Sequence, residues 1–311
     1  MNDKSHSLVK KSIIQNFFAD DRRFLLIILL PVTLFFLVWN VVPTLWMIGL
    51  SFHNYSLLSA QPAAFIGLDN FVDLATSNEI WAAFGRTFLF VVVGVGIQTL
   101  LGIKLGFLFW NSKNMPGRRI ALTLLFAPMM IAPVAAGNYF RLMLNPSFGI
   151  INYIVSLFND GYTIEFLTSS EFAFGTVLAV DIWMWTPFMI LMTLAALGAV
   201  PKAELEAANV DRLTLIQKLR HIIWPHGKFI LMLGILLRTI QSIQTMDLVF
   251  LLTGGGPGAI TELIGILIHR VAFNSMHLGR ASSIALFMLM VAIAFTSIYL
   301  FVLKSKNKEE L

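Results

Sequence analysis

Cysteine is absent from this chain, which excludes disulfide bonds, thiolate nucleophiles and thiolate metal sites. The six histidines are scattered, with no H-E-x-x-H pair, and no G-x-x-x-x-G-K-[ST] phosphate loop occurs. The run Gly254-Gly255-Gly256-Pro257-Gly258 lacks the Lys-Ser/Thr that such a loop needs, and is expected to be a turn at the end of an apolar span. Charge is scarce too: Asp, Glu, Lys and Arg fill 13% of positions, about half the roughly 25% of a soluble domain. An intramembrane enzyme would need a nucleophile–base or metal constellation, and the sequence offers none. The chain is expected to bind no cofactor or metal and to catalyse no reaction.

What is abundant is apolar surface. Hydrophobic residues make up 57% of the 311 positions, with a mean hydropathy of +0.79. A helix needs roughly 20 apolar residues to cross a hydrocarbon core of ~30 Å. Six stretches qualify: Phe24–Phe52, Trp81–Trp110, Ile120–Leu144, Phe172–Val200, Phe229–Thr253 and Ala281–Leu303. The first is too long for a signal-peptide core and is retained. The fold class is therefore all-α: a polytopic integral membrane protein with six transmembrane helices over 24–303. A segment before it (1–23) and a short tail after it (304–311) flank this domain. In the first, Ile13, Ile14, Phe17 and Phe18 share one helical face beside Lys10 and Lys11, which suits a helix lying in the membrane interface; a solvated tail is the alternative.

The net charge of +5 raises the question of nucleic acid, and the positions of the charges answer it. Lys and Arg number five before the first span, three in 111–119, five in 201–228 and three after Leu303. The loops on the other side have none in 53–80, none in 145–171, and only Arg270 and Arg280 in 254–280. This is the asymmetry of the positive-inside rule. It places both termini and the 201–228 loop in the cytoplasm, and makes the basic residues topology determinants rather than nucleic-acid contacts.

The 201–228 loop has its own pattern. Pro201 suits a first helical turn, and a helix of two turns can run to Asn209. Thr214 followed by Gln217 has capping-box spacing and restarts a helix with Leu215, Ile216, Leu219, Ile222 and Ile223 on its apolar side. Pro225 is expected to disrupt that helix before the fifth span. The product is a helix–turn–helix that exposes Glu204, Glu206, Asp211 and Arg212 to a partner, or else a solvated loop that happens to be helical.

Glu206-Ala207-Ala208-Asn209-Val210-Asp211-Arg212, followed by Ile222-Ile223-Trp224-Pro225, resembles the E-A-A-x-x-D-G loop of ABC importer permeases. Four further motifs resemble the sugar-type branch of that family: Gly67-Leu68-Asp69-Asn70-Phe71, Asn145-Pro146-Ser147-Phe148-Gly149, Trp183 with Thr186-Pro187-Phe188, and Leu252-Thr253-Gly254-Gly255-Gly256-Pro257. The resemblance spans about residues 24–303. It implies a permease subunit in a bacterial cytoplasmic (inner) membrane, forming half of a translocation pathway for a carbohydrate or derivative. It also implies partners: a second permease that is a different chain, an ATP-binding subunit dimer and an extracytoplasmic solute-binding protein. ATP and Mg would then sit on the ATPase, and none on this chain. Glu206, Ala207, Ala208, Asp211 and Arg212 would form the ATPase-coupling surface. The family's usual Gly follows the Asp, where this chain has Arg212. An ion-gradient-driven secondary transporter is the alternative, though that class commonly shows internal repeats and none is visible here.

Charges inside spans are costly and rarely without purpose. Arg86, Lys104 and Arg141 lie within about 9 Å of a span end at ~1.5 Å per residue, so they can snorkel. Asp181 and Arg238 sit ~15 Å into their spans by the same rise and are expected to face a polar cavity, as a pair. In related sugar permeases the spans flanking the loop line the solute cavity. The resemblance then points to Asp181, Met184, Trp185 and Phe188 on one span, and to Arg238, Gln241, Ser242, Thr245 and Asp247 on the other. The bland reading is that Trp185 and Phe188 pack against a neighbouring helix and that Arg238–Asp181 is a buried tie between helices. An anionic solute would make Arg238 its natural counter-charge.

Overall fold

The computed structural model describes residues 21–59, 62–111, 115–158 and 162–308. The stripe expected over Ile13–Phe18 and the last three residues of the tail lie outside them. Helix α1 (Asp21–Phe36) passes through a π turn at Leu37–Val41 into α2 (Val42–Ser51), which completes the first span. Phe35, Trp39 and Trp46 are exposed, so this span offers its apolar surface to lipid or to another subunit. A short antiparallel ribbon follows, β1 (His53–Asn54) against β2 (Ala64–Phe65), with His53 opposite Phe65. Then come α3 (Asp69–Thr76) and α4 (Asn78–Asn111), whose 34 residues rise about 50 Å and overreach a ~30 Å hydrocarbon core.

The third expected span is not one helix. Helices α5 (Arg118–Phe126) and α6 (Pro133–Met143) meet through a 3-10 turn at Ala127–Met130 and are bent by 98°. Two prolines cause this. Pro128 lies in the turn, and Pro133 drives Ala132 into extended backbone (ψ 138°), because a proline ring disfavours helical geometry in the residue before it. Helix α7 (Ile150–Phe158) leads to α8 (Ala173–Gly198), the fourth span.

The next region corrects a second expectation. After α9 (Lys202–Val210), helix α10 (Leu215–Lys218) runs without interruption through a π turn at Leu219–Ile223 into α11 (Trp224–Ile243). Pro225 does not break it. The π turn, whose N–H groups reach one residue further back, carries the helix past a position that cannot donate. The fifth span is therefore Ile216–Ile243 rather than Phe229–Thr253. The residues up to Thr253 form a separate helix, α12 (Asp247–Thr253), beyond a break at Gln244–Met246. Helix α13 (Ile264–His269), a π turn at Arg270–Asn274 and α14 (Leu278–Lys308) complete the chain. The last helix carries the sixth span and continues into the expected tail.

Among the described residues two cores hold the bundle. Phe90 of α4, Val177, Val180 and Met184 of α8, and Leu248, Val249 and Leu252 of α12 form one. The other joins Ile80 and Ala83 of α4 and Ile284 of α14 to Ile264 and Leu267 of α13. Thus 254–280, expected to be an external loop, folds back and buries α13. The run Ile264–Ile268 is apolar enough for a core and too short to cross a membrane. Helices α4 and α8 pack most extensively. A Cβ on Gly102 would lie 2.5 Å from Met189 Cβ, and one on Gly106 2.6 Å from Thr193 Cγ2. This G-x-x-x-G pair lets the two backbones approach closely.

Ion pairs fasten the end of the bundle that carries 254–280. Arg270 Nε donates to Glu262 Oε1 (2.6 Å) and Arg280 Nε to Asp73 Oδ2 (2.7 Å). Arg86, expected to snorkel, instead donates from Nε to the Glu262 carbonyl (2.9 Å). The two basic residues of that side are thus already paired with acids of this chain. Lys104 and Arg141 are exposed, as snorkelling requires.

Candidate solute cavity and coupling loop

Asp181 on α8 and Arg238 on α11 face each other with no exposed surface. Arg238 Nη2 donates to Asp181 Oδ2 at 2.5 Å. Gln98, from the middle of α4, completes the group: its Nε2 donates to Asp181 Oδ2 (2.9 Å) and its Oε1 accepts from Arg238 Nε (2.8 Å). The guanidinium lies over the Trp185 ring, 5.0 Å from its centroid, a cation–π distance. Such a group survives burial only when its charges are paired and hydrogen-bonded. Among the described residues Asp181 Oδ1, Arg238 Nη1 and Ser242 Oγ are buried polar atoms without a hydrogen-bond partner.

The pair borders a cavity of about 240 Å³ between α8 and α11. Met184 and Trp185 line its α8 side, and Gln241, Thr245 and Asp247 line the side where α11 breaks and α12 begins. Seven of the nine sequence-derived pathway residues are therefore brought together. Phe188 is partly buried and Ser242 wholly buried, and neither lines this cavity. Two polar contributors escaped the sequence reading, besides the apolar lining of Pro133, Met246 and Leu248. Gln98 is legible in hindsight as a lone amide deep in an apolar span. Gln244 owes its place to the helix break, which no Pro or Gly announces.

The coupling loop is built at the opposite extreme of exposure. Helix α9 presents Glu206 and Ala207 outward and turns Ala208 inward. It ends in a six-residue lock: Leu213 N–H donates to the Ala208 carbonyl (3.0 Å) and Arg212 N–H to that of Asn209 (3.2 Å). This is a Schellman motif, and Arg212 occupies its left-handed position with φ 52°. The glycine usual in the family pattern stands where φ must be positive; Arg212 takes the same geometry despite its Cβ. The expected capping box is present, with Gln217 Oε1 accepting from Thr214 N–H (2.8 Å) and Thr214 Oγ1 from Gln217 N–H (3.4 Å). Glu204 Oε2 lies 2.8 Å from His226 Nε2, and Lys218 Nζ donates to Asn209 Oδ1 (2.7 Å). These contacts tie α9 to the base of the fifth span. Asp211 and Arg212 are exposed.

Comparison with known proteins follows this geometry. Residues 98–307 match the family model described as "Binding-protein-dependent transport system inner membrane component". The chain is 31% identical over 276 residues to the trehalose/maltose transport system permease protein MalF of Thermococcus litoralis, covering 88% of this chain and 90% of that one. It is 29% identical over 290 residues to the sulfoquinovosyl glycerol transport system permease protein SmoG of Agrobacterium fabrum, covering 92% of each. A crystal structure of a bacterial alginate ABC transporter, in complex with a pentasaccharide-bound periplasmic protein, contains a chain of the same fold. Its TM-score is 0.75 at 23% identity, over 91% of this chain and 95% of that one.

Proposed function

This chain belongs to the family of inner-membrane components of binding-protein-dependent transport systems, and from that membership we infer that it is the permease subunit of an ABC importer for a carbohydrate or carbohydrate derivative. One observation carries the reading beyond the family. A cavity lined by aromatic, amide and carboxylate side chains lies between two spans, α8 and α11, and the segment joining those spans is the coupling loop. Rings flanked by amides and acids suit the mixed apolar and hydroxyl faces of a sugar. The names of the similar permeases, for trehalose/maltose and for sulfoquinovosyl glycerol, support a glycosidic solute.

At about 240 Å³ the cavity is smaller than the ~300–1,000 Å³ of ordinary ligand pockets, which suits half of a pathway completed by a second permease. The chain catalyses nothing: ATP and Mg²⁺ are held by a separate ATPase dimer, and solute is handed over by an extracytoplasmic binding protein. The charge asymmetry puts 201–228 and both termini on the cytoplasmic side of a bacterial inner membrane. There Glu206 and its exposed neighbours dock into the ATPase. Movement of the docked helix reaches the cavity through the Glu204–His226 contact and the unbroken helix from Leu215 to Ile243.

The charge reversal Glu206→Lys tests this. Sugar uptake should fall at least about ten-fold, the equivalent of roughly 1.4 kcal/mol, while the membrane domain still folds. Normal uptake in that variant would remove Glu206 from the coupling surface. Uptake that survives loss of the ATPase but collapses with an ionophore would instead indicate an ion-driven transporter.

A further inference from the structure

Resting on the carbohydrate reading, we propose that this cavity selects an uncharged, hydroxyl-bearing solute and rejects sugars that carry a carboxylate, sulfate or phosphate. The argument begins with Arg238, among the described residues the one cation bordering the cavity. Had it stood alone, it would have been a counter-charge for an anion. Asp181 takes that role from inside the protein, at 2.5 Å. Wherever the shared proton sits, the pair sums to zero charge.

What the pair retains is hydrogen-bonding capacity of both kinds. Arg238 Nη1 is a buried donor without a partner and Asp181 Oδ1 a buried acceptor without one. Both atoms lie beneath the cavity wall without accessible surface. A solute therefore meets the pair only as a neutral background, and the hydrogen bonds it can make are those of the accessible lining. A hydroxyl both donates and accepts there, whereas an ionised acid only accepts. An anion entering here would find the one cation of the lining buried and already committed to Asp181. Asp247, also on the lining and exposed, adds a second carboxylate. The remaining polar lining, Gln241, Gln244 and Thr245, is neutral and offers both donors and acceptors. The Arg238 guanidinium lies over the Trp185 ring, 5.0 Å from its centroid.

The test reads the membrane site alone. The complex of this chain, its partner permease and the ATPase is placed in nanodiscs without the external binding protein. Saturation-transfer NMR then measures binding of a neutral disaccharide such as maltose and of a uronic-acid disaccharide of the same size. The neutral sugar should bind at least about ten-fold more tightly, the scale of a unit charge acting over several ångströms of partly hydrated protein. Asp181→Asn, which leaves Arg238 uncompensated, should shift the acidic-to-neutral ratio toward the acid by a similar factor. Asp247→Lys should shift it the same way without touching the buried pair, and covers the case in which Asp181→Asn fails to assemble. Equal or tighter binding of the acidic sugar by the unaltered protein, or a ratio that neither variant moves, would overturn the proposal. If neither sugar binds while the complex transports a solute that is not a carbohydrate, the carbohydrate reading fails and this inference with it.

Discussion

The cavity and the coupling loop both depend on charged side chains, and they use them in opposite ways. Asp181 and Arg238 are both buried and each is answered by a partner on another helix, with Gln98 from a third helix bonding both. Around Glu206 and Arg212 the charges face outward, and the local shape is fixed by backbone hydrogen bonds and a capping box within a dozen residues of sequence. The contrast shows where each region keeps its specificity. In the membrane the tertiary arrangement is the determinant, because an unpaired charge there has no water to turn to. In the loop the chain itself sets the geometry and leaves Glu206, Asp211 and Arg212 facing outward.

The contrast can be tested by breaking each side. Arg238→Ala should have the largest effect, because it strands Asp181 as an uncompensated buried charge, a loss of about 3–5 kcal/mol. A thermal melt of the detergent-solubilised protein should show it. The double change Asp181→Asn with Arg238→Gln removes both charges and should lose less than Arg238→Ala alone. If the double variant is the less stable, burial of the pair is not what governs this region.

An intermediate effect is expected at the α4–α8 contact. Gly102→Leu places a side chain where Met189 already lies 2.5 Å from the added Cβ. Overpacking of this kind costs about 1–3 kcal/mol, and the helices must part to accept it. Because Gln98 is one helical turn from Gly102, neutral-sugar binding should weaken together with the melting temperature. A fall in stability with binding unchanged would show that the α4 contact does not position the buried group.

The smallest effect belongs to the loop. Arg212→Gly removes a Cβ from a left-handed residue, with φ 52°, and should stabilise the turn by no more than about 1 kcal/mol. Uptake should stay within roughly two-fold, the size of change that less than 0.5 kcal/mol produces. A large drop in uptake would assign the guanidinium a direct contact with the ATPase and sharpen the picture of the docking surface.

The structure also shows which features a reader of the sequence can reach. The loop was legible nearly residue by residue: the capping box at Thr214 and Gln217, and an inner segment able to form two turns, follow from local chemistry. Its one failure was Pro225, since the sequence does not reveal that a π turn will absorb a missing donor. The charged pair was legible from cost alone, because Asp181 and Arg238 lie too deep to snorkel. The bend between α5 and α6 was announced by Pro128 and Pro133, yet apolar length favoured a straight span. The burial of α13 was not legible, because an apolar run of this length looks the same in an external loop as in a core.

By itself, then, the sequence determined the class of the molecule, the approximate membrane segments, the gathering of basic residues in alternate loops and the shape of the 201–228 loop. These depend on hydropathy, charge count and contacts between near neighbours, all written along one dimension. Tertiary structure alone decided that Gln98 bridges Asp181 and Arg238, that Phe188 and Ser242 stand off the cavity and that the fifth span breaks before Asp247. Each of these joins residues far apart in the chain or depends on which helix face meets which. That choice is made by close packing of whole helices, and no local pattern encodes it.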